Sequence, residues 1–241
     1  MRVWAASHVG RQRESNEDRV VVGPWILAPD RDDIATIELR DPPFVVAVLD
    51  GMGGQAAGTV AATLTAEVVA SQGDSVEDET SAAYLTQWAN RAIYDRMEEA
   101  PELSGMGTTI VGVALVEDRV VLFNVGDTRA YVETDGYLIQ LSVDDAAPNG
   151  ALTQCLGGLR AYRPVEAHVA VEPHRDRRFL LATDGLFGHL DDQTLEACLA
   201  SDDESTVRRL LDAALDGGGP DNVSIVIIRF DGDLPTDDAG R

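Results

Sequence analysis

An α+β fold is what this chain predicts, and three observations carry the expectation. Apolar residues recur with a short period over residues 108–141 and are broken by tight turns, the mark of an antiparallel meander. Helical periodicity comes in pairs of segments set between groups of strands, without regular strand-helix alternation. Phe44–Leu49 is a valine-rich run with no polar residue, which suits a strand buried on both faces.

From the start, the first 28 residues alternate short apolar runs with polar turns and predict two or three strands. Residues 29–43 are polar, carry prolines and read as an excursion. The buried run stops at Asp50. Past Gly51, Gly53 and Gly54, residues 55–71 place Val60, Leu64 and Val68 at four-residue intervals among alanines, which predicts an amphipathic helix. A second helix is expected over residues 81–100, with Tyr84, Leu85, Trp88, Ala92 and Tyr94 as its core-facing stripe. Strands follow over residues 108–116, 120–125, 130–133 and 137–141, the last two joined by the hairpin signal Asp135-Gly136. Further strands are expected over residues 165–171, 179–182 and 223–230, separated by two helices. One helix begins after Asp191-Asp192; the other ends in Gly217-Gly218-Gly219-Pro220.

The 241 residues carry 42 acidic against 19 basic side chains, a formal charge of −23, and a hydrophobic share of 44%. This fits one domain over residues 1–231 with enough apolar material to close a core, and a polar tail over residues 232–241. Every basic residue is arginine, a permanent charge suited to oxyanions. Such acidity repels phosphate backbones and anionic lipid, so neither nucleic acid nor membrane is an expected partner. No run approaches the ~20 apolar residues of a membrane span, and the amino terminus lacks a signal-peptide pattern, so a cytoplasmic location is expected. Cys155 and Cys198 have neither zinc nor disulfide spacing and are expected as buried thiols. His8, His168, His174 and His189 share no ligand spacing.

Chemistry concentrates where apolar strands give way to carboxylates. Asp50-Gly51 and Asp184-Gly185 follow strands, and Asp221-Asn222 precedes one. A strand end fixes a side chain while leaving its head group at the sheet rim. If the rims meet, carboxylate repulsion must be offset by protons or a divalent cation, and all-oxygen ligation suits Mg²⁺ or Mn²⁺ better than zinc. Asp before Gly is also an ordinary turn former, so no single pair decides the matter. Arg13 followed by Asn16-Glu17-Asp18 adds two carboxylates and an oxyanion clamp. Metal ions with an arginine are the parts needed for phosphoryl transfer.

The ordered set Arg13-Glu14-Ser15-Asn16-Glu17-Asp18, Asp50-Gly51-Met52-Gly53-Gly54, Gly105-Met106-Gly107-Thr108-Thr109, Gly126-Asp127-Thr128-Arg129, Thr183-Asp184-Gly185 and Gly219-Pro220-Asp221-Asn222 resembles the metal-dependent type 2C serine/threonine protein phosphatases, bacterial branch. The resemblance runs over nearly the whole chain. It implies a four-layer α-β-β-α sandwich with two central antiparallel sheets. It also implies hydrolysis of phosphoserine and phosphothreonine in proteins by a metal-bridging water, with no phosphoenzyme. Two ions, Mn²⁺ or Mg²⁺, are implied: Asp50 bridges them, the Gly51 carbonyl completes the first site, and Asp184 and Asp221 hold the second. Glu17 and Asp18 act through metal-bound water, and Arg13 grips the substrate phosphate.

A third ion is implied at Glu102, which stands where many bacterial relatives carry an aspartate upstream of the Gly-Met-Gly-Thr-Thr motif. Gly126-Asp127 and Gly107-Thr108 read as turn and sheet elements. Met52 takes the place of a histidine in eukaryotic relatives, so protonation of the leaving group falls to metal-bound water. The family's flap segment is reduced to residues 142–150, which widens the cleft and loosens any selection made there. Expected partners are phosphorylated proteins and a counterpart Ser/Thr kinase, with the chain a monomer.

Competing readings are weaker. Gly51-x-Gly53-x-x-Ala56 satisfies a relaxed dinucleotide fingerprint, but Asp50 would face a pyrophosphate and hairpins follow where a βαβ unit should continue. The Cys155 to Arg160 spacing is one short of a cysteine-phosphatase loop, and no Gly-x-Ser-x-Gly elbow is present. A non-catalytic phosphoprotein-binding module on the same fold would have lost a principal carboxylate, and Asp50, Asp184 and Asp221 are all present.

Overall fold

The computed structural model describes residues 1–27, 33–40, 42–53, 57–116, 119–173, 177–200 and 202–230. Strands β1 (Arg2–His8), β2 (Arg19–Val22), β3 (Trp25–Ile26), β4 (Ala35–Glu38), β5 (Phe44–Leu49) and β6 (Gly51–Met52) come first. Helices α1 (Ala57–Gln72) and α2 (Glu79–Glu99) follow, then β7 (Gly107–Thr108), β8 (Ile110–Val116), β9 (Arg119–Val125), β10 (Arg129–Thr134), β11 (Tyr137–Gln140), β12 (Leu156–Gly157), β13 (His168–Pro173) and β14 (Arg178–Ala182). Helices α3 (Asp184–Phe187), α4 (Asp192–Ala197) and α5 (Asp203–Asp216) lead to β15 (Val223–Arg229).

Two six-stranded antiparallel sheets, ordered β13-β9-β8-β5-β2-β3 and β11-β10-β14-β15-β1-β4, lie face to face. Strict alternation along the strands sorts side chains between layers. Val45, Ala47 and Leu49 of β5 pack under α1 and α2, while Phe44, Val46 and Val48 point to the opposite sheet. Ile225 and Ile227 of β15 pack on the α3–α5 side, while Val226 and Ile228 join the inter-sheet core. The result is a four-layer α-β-β-α sandwich. Full burial of each Val, Leu or Ile contributes about 1.5–3 kcal/mol, so these layers are the main favourable term in folding.

Local signals explain the boundaries. Asp78 caps α2 by accepting from the Ser81 amide at 2.8 Å, and Asp191 and Asp202 cap α4 and α5 in the same way. The Asp135-Gly136 turn has φ of +53° and +84°, as a two-residue hairpin of right-handed strands demands. Strand β4 lies inside the stretch read as an excursion: Ile37 pairs with Val3, but the strand is short and at a sheet edge. A third, three-stranded sheet, β12-β7-β6, was not legible from such short pieces.

Two helix faces differ from the expected ones. In α2 the buried side is Ala82, Leu85, Thr86, Ala89, Asn90, Ile93, Tyr94 and Met97, and Tyr84 and Trp88 face solvent. In α1 the fully buried residues are small, such as Ala61, Ala62 and Ala66, which lets the helix approach the sheet closely; Val60, Leu64 and Val68 are only partly covered. Residues 165–167, expected as strand, precede β13 because side chains rather than a ladder bind that segment. Residues 28–32, 41, 54–56 and His174, together with residues 231–241 and hence the expected tail, lie outside the described residues.

Candidate active site

Strand registers bring the carboxylates to one rim. Arg19 pairs with Leu49, so Asp18 and Asp50 are neighbours where β2 begins and β5 ends. Ala182 pairs with Ile225, which sets Asp184 beside the entry to β15 and Asp221. Arg129 pairs with Ala182, so the turn holding Asp127 comes to Asp184 as well. Asp50 thus arrives from one six-stranded sheet and Asp184 and Asp221 from the other.

Between them lies a cavity of about 330 Å³ whose wall includes Arg13, Glu17, Asp50, Gly51, Met52, Asp127, Asp184 and Asp221. Asp18 is fully buried, and the Thr183 hydroxyl donates to its Oδ2 at 3.0 Å. Arg13 Nη2 donates to Asp221 Oδ2 at 2.6 Å. The loop bearing Arg13 and Glu17 is fixed by buried Asn222, whose Nδ2 donates to the carbonyls of Val9 (2.9 Å) and Ser15 (3.0 Å) and whose Oδ1 accepts from the Glu17 amide (2.8 Å). Asp50 is held through its backbone: the Thr109 amide and the Thr108 hydroxyl donate to its carbonyl at 2.9 and 2.8 Å. Gly58, in the first turn of α1, admits no side chain, since a Cβ there would stand 2.1 Å from Glu17 Oε2.

Crowding acidic groups into a partly dry space makes them hold protons. Burial, then the charges of Asp18, Asp184, Asp221 and Asp127, push Asp50 well above the usual carboxylate range. Burial also raises Asp18 to about 7 and Asp127 to about 6, in each case with help from Asp184. Asp184 is raised by burial and by Asp221, and Glu17 chiefly by burial.

The donor set fits a hard divalent cation. Asp18 Oδ1 and Asp184 Oδ1 are buried without a hydrogen-bond partner, a costly state that a cation relieves. Among the described residues the wall offers carboxylate and carbonyl oxygen and no thiol or imidazole, the ligand type of Mg²⁺ or Mn²⁺. As the side chains stand, no three acidic, His or Cys groups among the described residues already form a ligand cage, and Arg13 occupies Asp221.

Two placements differ from the reading of the sequence. Glu102 is exposed on the turn Pro101–Leu103 and is not part of the cavity wall. Asp127, read as a turn element, is in that wall. Only the register of β10 on β14 reveals this; locally Gly126-Asp127 looks like any turn. The short segment over residues 142–150 is tied down: Asp144 takes a 2.6 Å bond from Arg129, and Asp145 takes bonds from the Gly126 amide (2.9 Å) and Gln154 (3.0 Å). Gly150 and Leu152 reach the cavity.

A sequence profile of the protein phosphatase 2C family matches residues 28–216. The serine/threonine protein phosphatase PstP of Mycobacterium tuberculosis is 32% identical over 255 residues, covering 94% of this chain and 44% of the relative. The chain therefore spans less than half the length of that relative. The serine/threonine phosphatase stp of Listeria monocytogenes is 26% identical, covering 84% of this chain and 90% of its own. A crystal structure of the catalytic domain of PstP in complex with two manganese ions matches with a TM-score of 0.76 at 30% identity, covering 94% of this chain and 98% of that one.

Proposed function

Since the chain belongs to the protein phosphatase 2C family, we propose that it hydrolyses phosphoserine and phosphothreonine in proteins with Mn²⁺ or Mg²⁺ as cofactor. One observation carries the proposal: Glu17, Asp50, Asp127, Asp184 and Asp221 line a single cavity with one guanidinium, Arg13. Repelling carboxylates next to an oxyanion clamp suit a phosphate ester held against cations, and suit little else.

Asp50, the Gly51 carbonyl, Asp184 and Asp221 would hold two ions, with Glu17 and Asp18 in the shell behind. Asp127 beside Asp184 is the better placed residue for any third ion, and Glu102 is not. Bound cations offset the carboxylate repulsion and polarise the phosphoryl group. The other roles fall to the chain itself. Arg13, half exposed and on a loop anchored by Asn222, reaches the phosphate oxygens once Asp221 takes a different partner. Thr183 keeps Asp18 oriented from behind. Met52 contributes apolar surface and no proton.

We place the chain in the cytoplasm as a monomer, acting against a Ser/Thr protein kinase. Its acidity disfavours contact with anionic lipid; no helix among the described residues is long and apolar enough to cross a membrane.

The test is phosphate release from p-nitrophenyl phosphate and from a phosphothreonine peptide with Mn²⁺, with and without EDTA. Metal-dependent release is expected, and Asp50→Asn or Asp184→Asn should lower it about a thousandfold, the equivalent of several kcal/mol of charge stabilisation. Peptide binding without release would instead identify a phosphoprotein-binding module.

A further inference from the structure

A second groove, about 620 Å³, adjoins the catalytic cavity, and the two share Met52 and Leu152 in their walls. The small sheet explains the contact. β12 pairs with β7 and β7 with β6, so Gly157 and Met52 lie on one three-stranded surface, two strands apart. Next to it Gly158, at φ +74°, leaves the floor open: a Cβ would stand 2.4 Å from Cys155 Sγ and 3.9 Å from the Met52 methyl.

The far wall is residues 163–166, and three side-chain amides hold it in place. Asn90 Nδ2 donates to the Arg163 carbonyl at 2.8 Å, and Gln87 Nε2 donates to the Val165 carbonyl. Gln154 brackets Glu166, its Nε2 donating to the carbonyl at 2.9 Å and its Oε1 accepting from the amide at 2.7 Å. Such fixing lowers the ordering cost of binding. The lining is apolar at Leu152, Leu159, Pro164 and Val165, polar at Thr153 and Gln154, and carries one cation, Arg163, and one anion, Glu166. Leu159 is left 48% exposed. A trough of mixed polar and apolar surface whose two charges cancel is no phosphate site. Its volume suits amino-acid side chains, and it shares wall residues with the cavity where a phosphoresidue would be cleaved.

We propose that this groove seats the polypeptide next to the phosphorylated residue and selects an aliphatic side chain there; the proposal rests on the phosphatase reading above. The short, tied-down segment over residues 142–150 leaves selection to this neighbouring trough.

The experiment compares phosphothreonine peptides carrying leucine or alanine singly at each flanking position, assayed for kcat/KM with Mn²⁺ on the wild-type chain, Leu159→Glu and Thr153→Glu. Both substituted residues are exposed, so folding is spared. Leucine should be preferred about tenfold over alanine at one position at least, the worth of a partly buried aliphatic group. In both variants the ratio should fall towards unity. A ratio near unity in the wild type, or one unchanged in both variants, overturns the proposal. The wild type's release of phosphate from p-nitrophenyl phosphate tests the underlying reading separately. If that release is absent, fluorescence anisotropy of the same peptides in EDTA reads the leucine-to-alanine ratio from binding alone, and a ratio of unity there overturns the groove.

Discussion

Arg13 and Asp221, 208 positions apart in sequence, meet in a 2.6 Å hydrogen bond at the mouth of the catalytic cavity. The partnership matches a permanent cation with a carboxylate that is otherwise surrounded by like charge. It also parks the only guanidinium among the described residues of the cavity wall within reach of the space a phosphate would fill.

Arg13→Ala should therefore act mainly on substrate capture. A charge-assisted contact of this type is worth about 1.5–3 kcal/mol, so KM for p-nitrophenyl phosphate should rise about tenfold or more with a smaller change in kcat. Arg13→Lys should recover only part, since a point charge cannot make the forked contact. Steady-state kinetics on the three proteins decide it, and unchanged KM and kcat in Arg13→Ala would remove the assignment.

Asp127 and Glu102 give opposite expectations. Asp127→Asn removes a carboxylate from the cavity and should lower turnover at limiting Mn²⁺ by about tenfold, whereas Glu102→Ala should behave as wild type. Turnover against metal concentration for both variants measures the difference. Loss in Glu102→Ala with full activity in Asp127→Asn would reverse the assignment.

The carboxyl cluster links metal-free stability to pH. Asp18 at about 7 and Asp127 at about 6 lie above their unfolded values, as do Asp50 and Asp184. A carboxyl raised in this way favours the folded state most below its unfolded pKa, and that contribution is lost as pH rises through the folded pKa. In EDTA the Tm should therefore fall from about pH 5 to about pH 8. Saturating Mn²⁺ should shrink the fall, because a cation that binds only the folded chain stabilises it most where the ligands are ionised. Thermal unfolding across that range, with and without metal, is the measurement; a flat profile in EDTA would contradict this crowding of carboxyl groups.

Away from the site, Asp203 is 6% exposed between two arginines. It accepts from Arg178 Nε at 2.6 Å and from Arg229 Nε and Nη2 at 2.7 and 2.8 Å. Burial pushes its pKa up, but the hydrogen bond from Arg229 and the charges of both arginines prevail and hold it below the usual value. Its contribution is thus present at neutral pH and lost only as pH falls through that lowered pKa. Asp203→Asn removes one of the two carboxylates that hold the buried Arg178, leaving Glu133 at 2.7 Å, and should cost about 3 kcal/mol, seen as a Tm lower by roughly 10 °C.

Much of this was legible in the sequence, for physical reasons that differ by element. Strand β5 announces itself because burial on both faces leaves no polar residue to interrupt the run, and β15 because Ser224 is its one polar residue before Arg229. The hairpin at Asp135-Gly136 is visible because few residue pairs tolerate two positive φ angles. Asp50, Asp184 and Asp221 stand out because each abuts such a strand. Asp127 did not, since its place depends on a register between distant strands. Trp88 misled because aromatic bulk suggests a core face, whereas α2 buries Ala89 and Asn90, the latter because its amide finds partners at Arg163 and Gly157. The groove beside Met52 was invisible for a like reason: it is built by two-residue strands and by side-chain bonds to backbone.

Drawing the acidic residues from both sheets makes the valine layer between those sheets the ruler of the reaction centre. A slip of one sheet over the other, set by Val46, Val48, Val226 and their neighbours, would change the spacing between Asp50 and the pair Asp184 and Asp221 before it unfolded anything. Distant packing and ion affinity are, in this architecture, two readings of a single dimension.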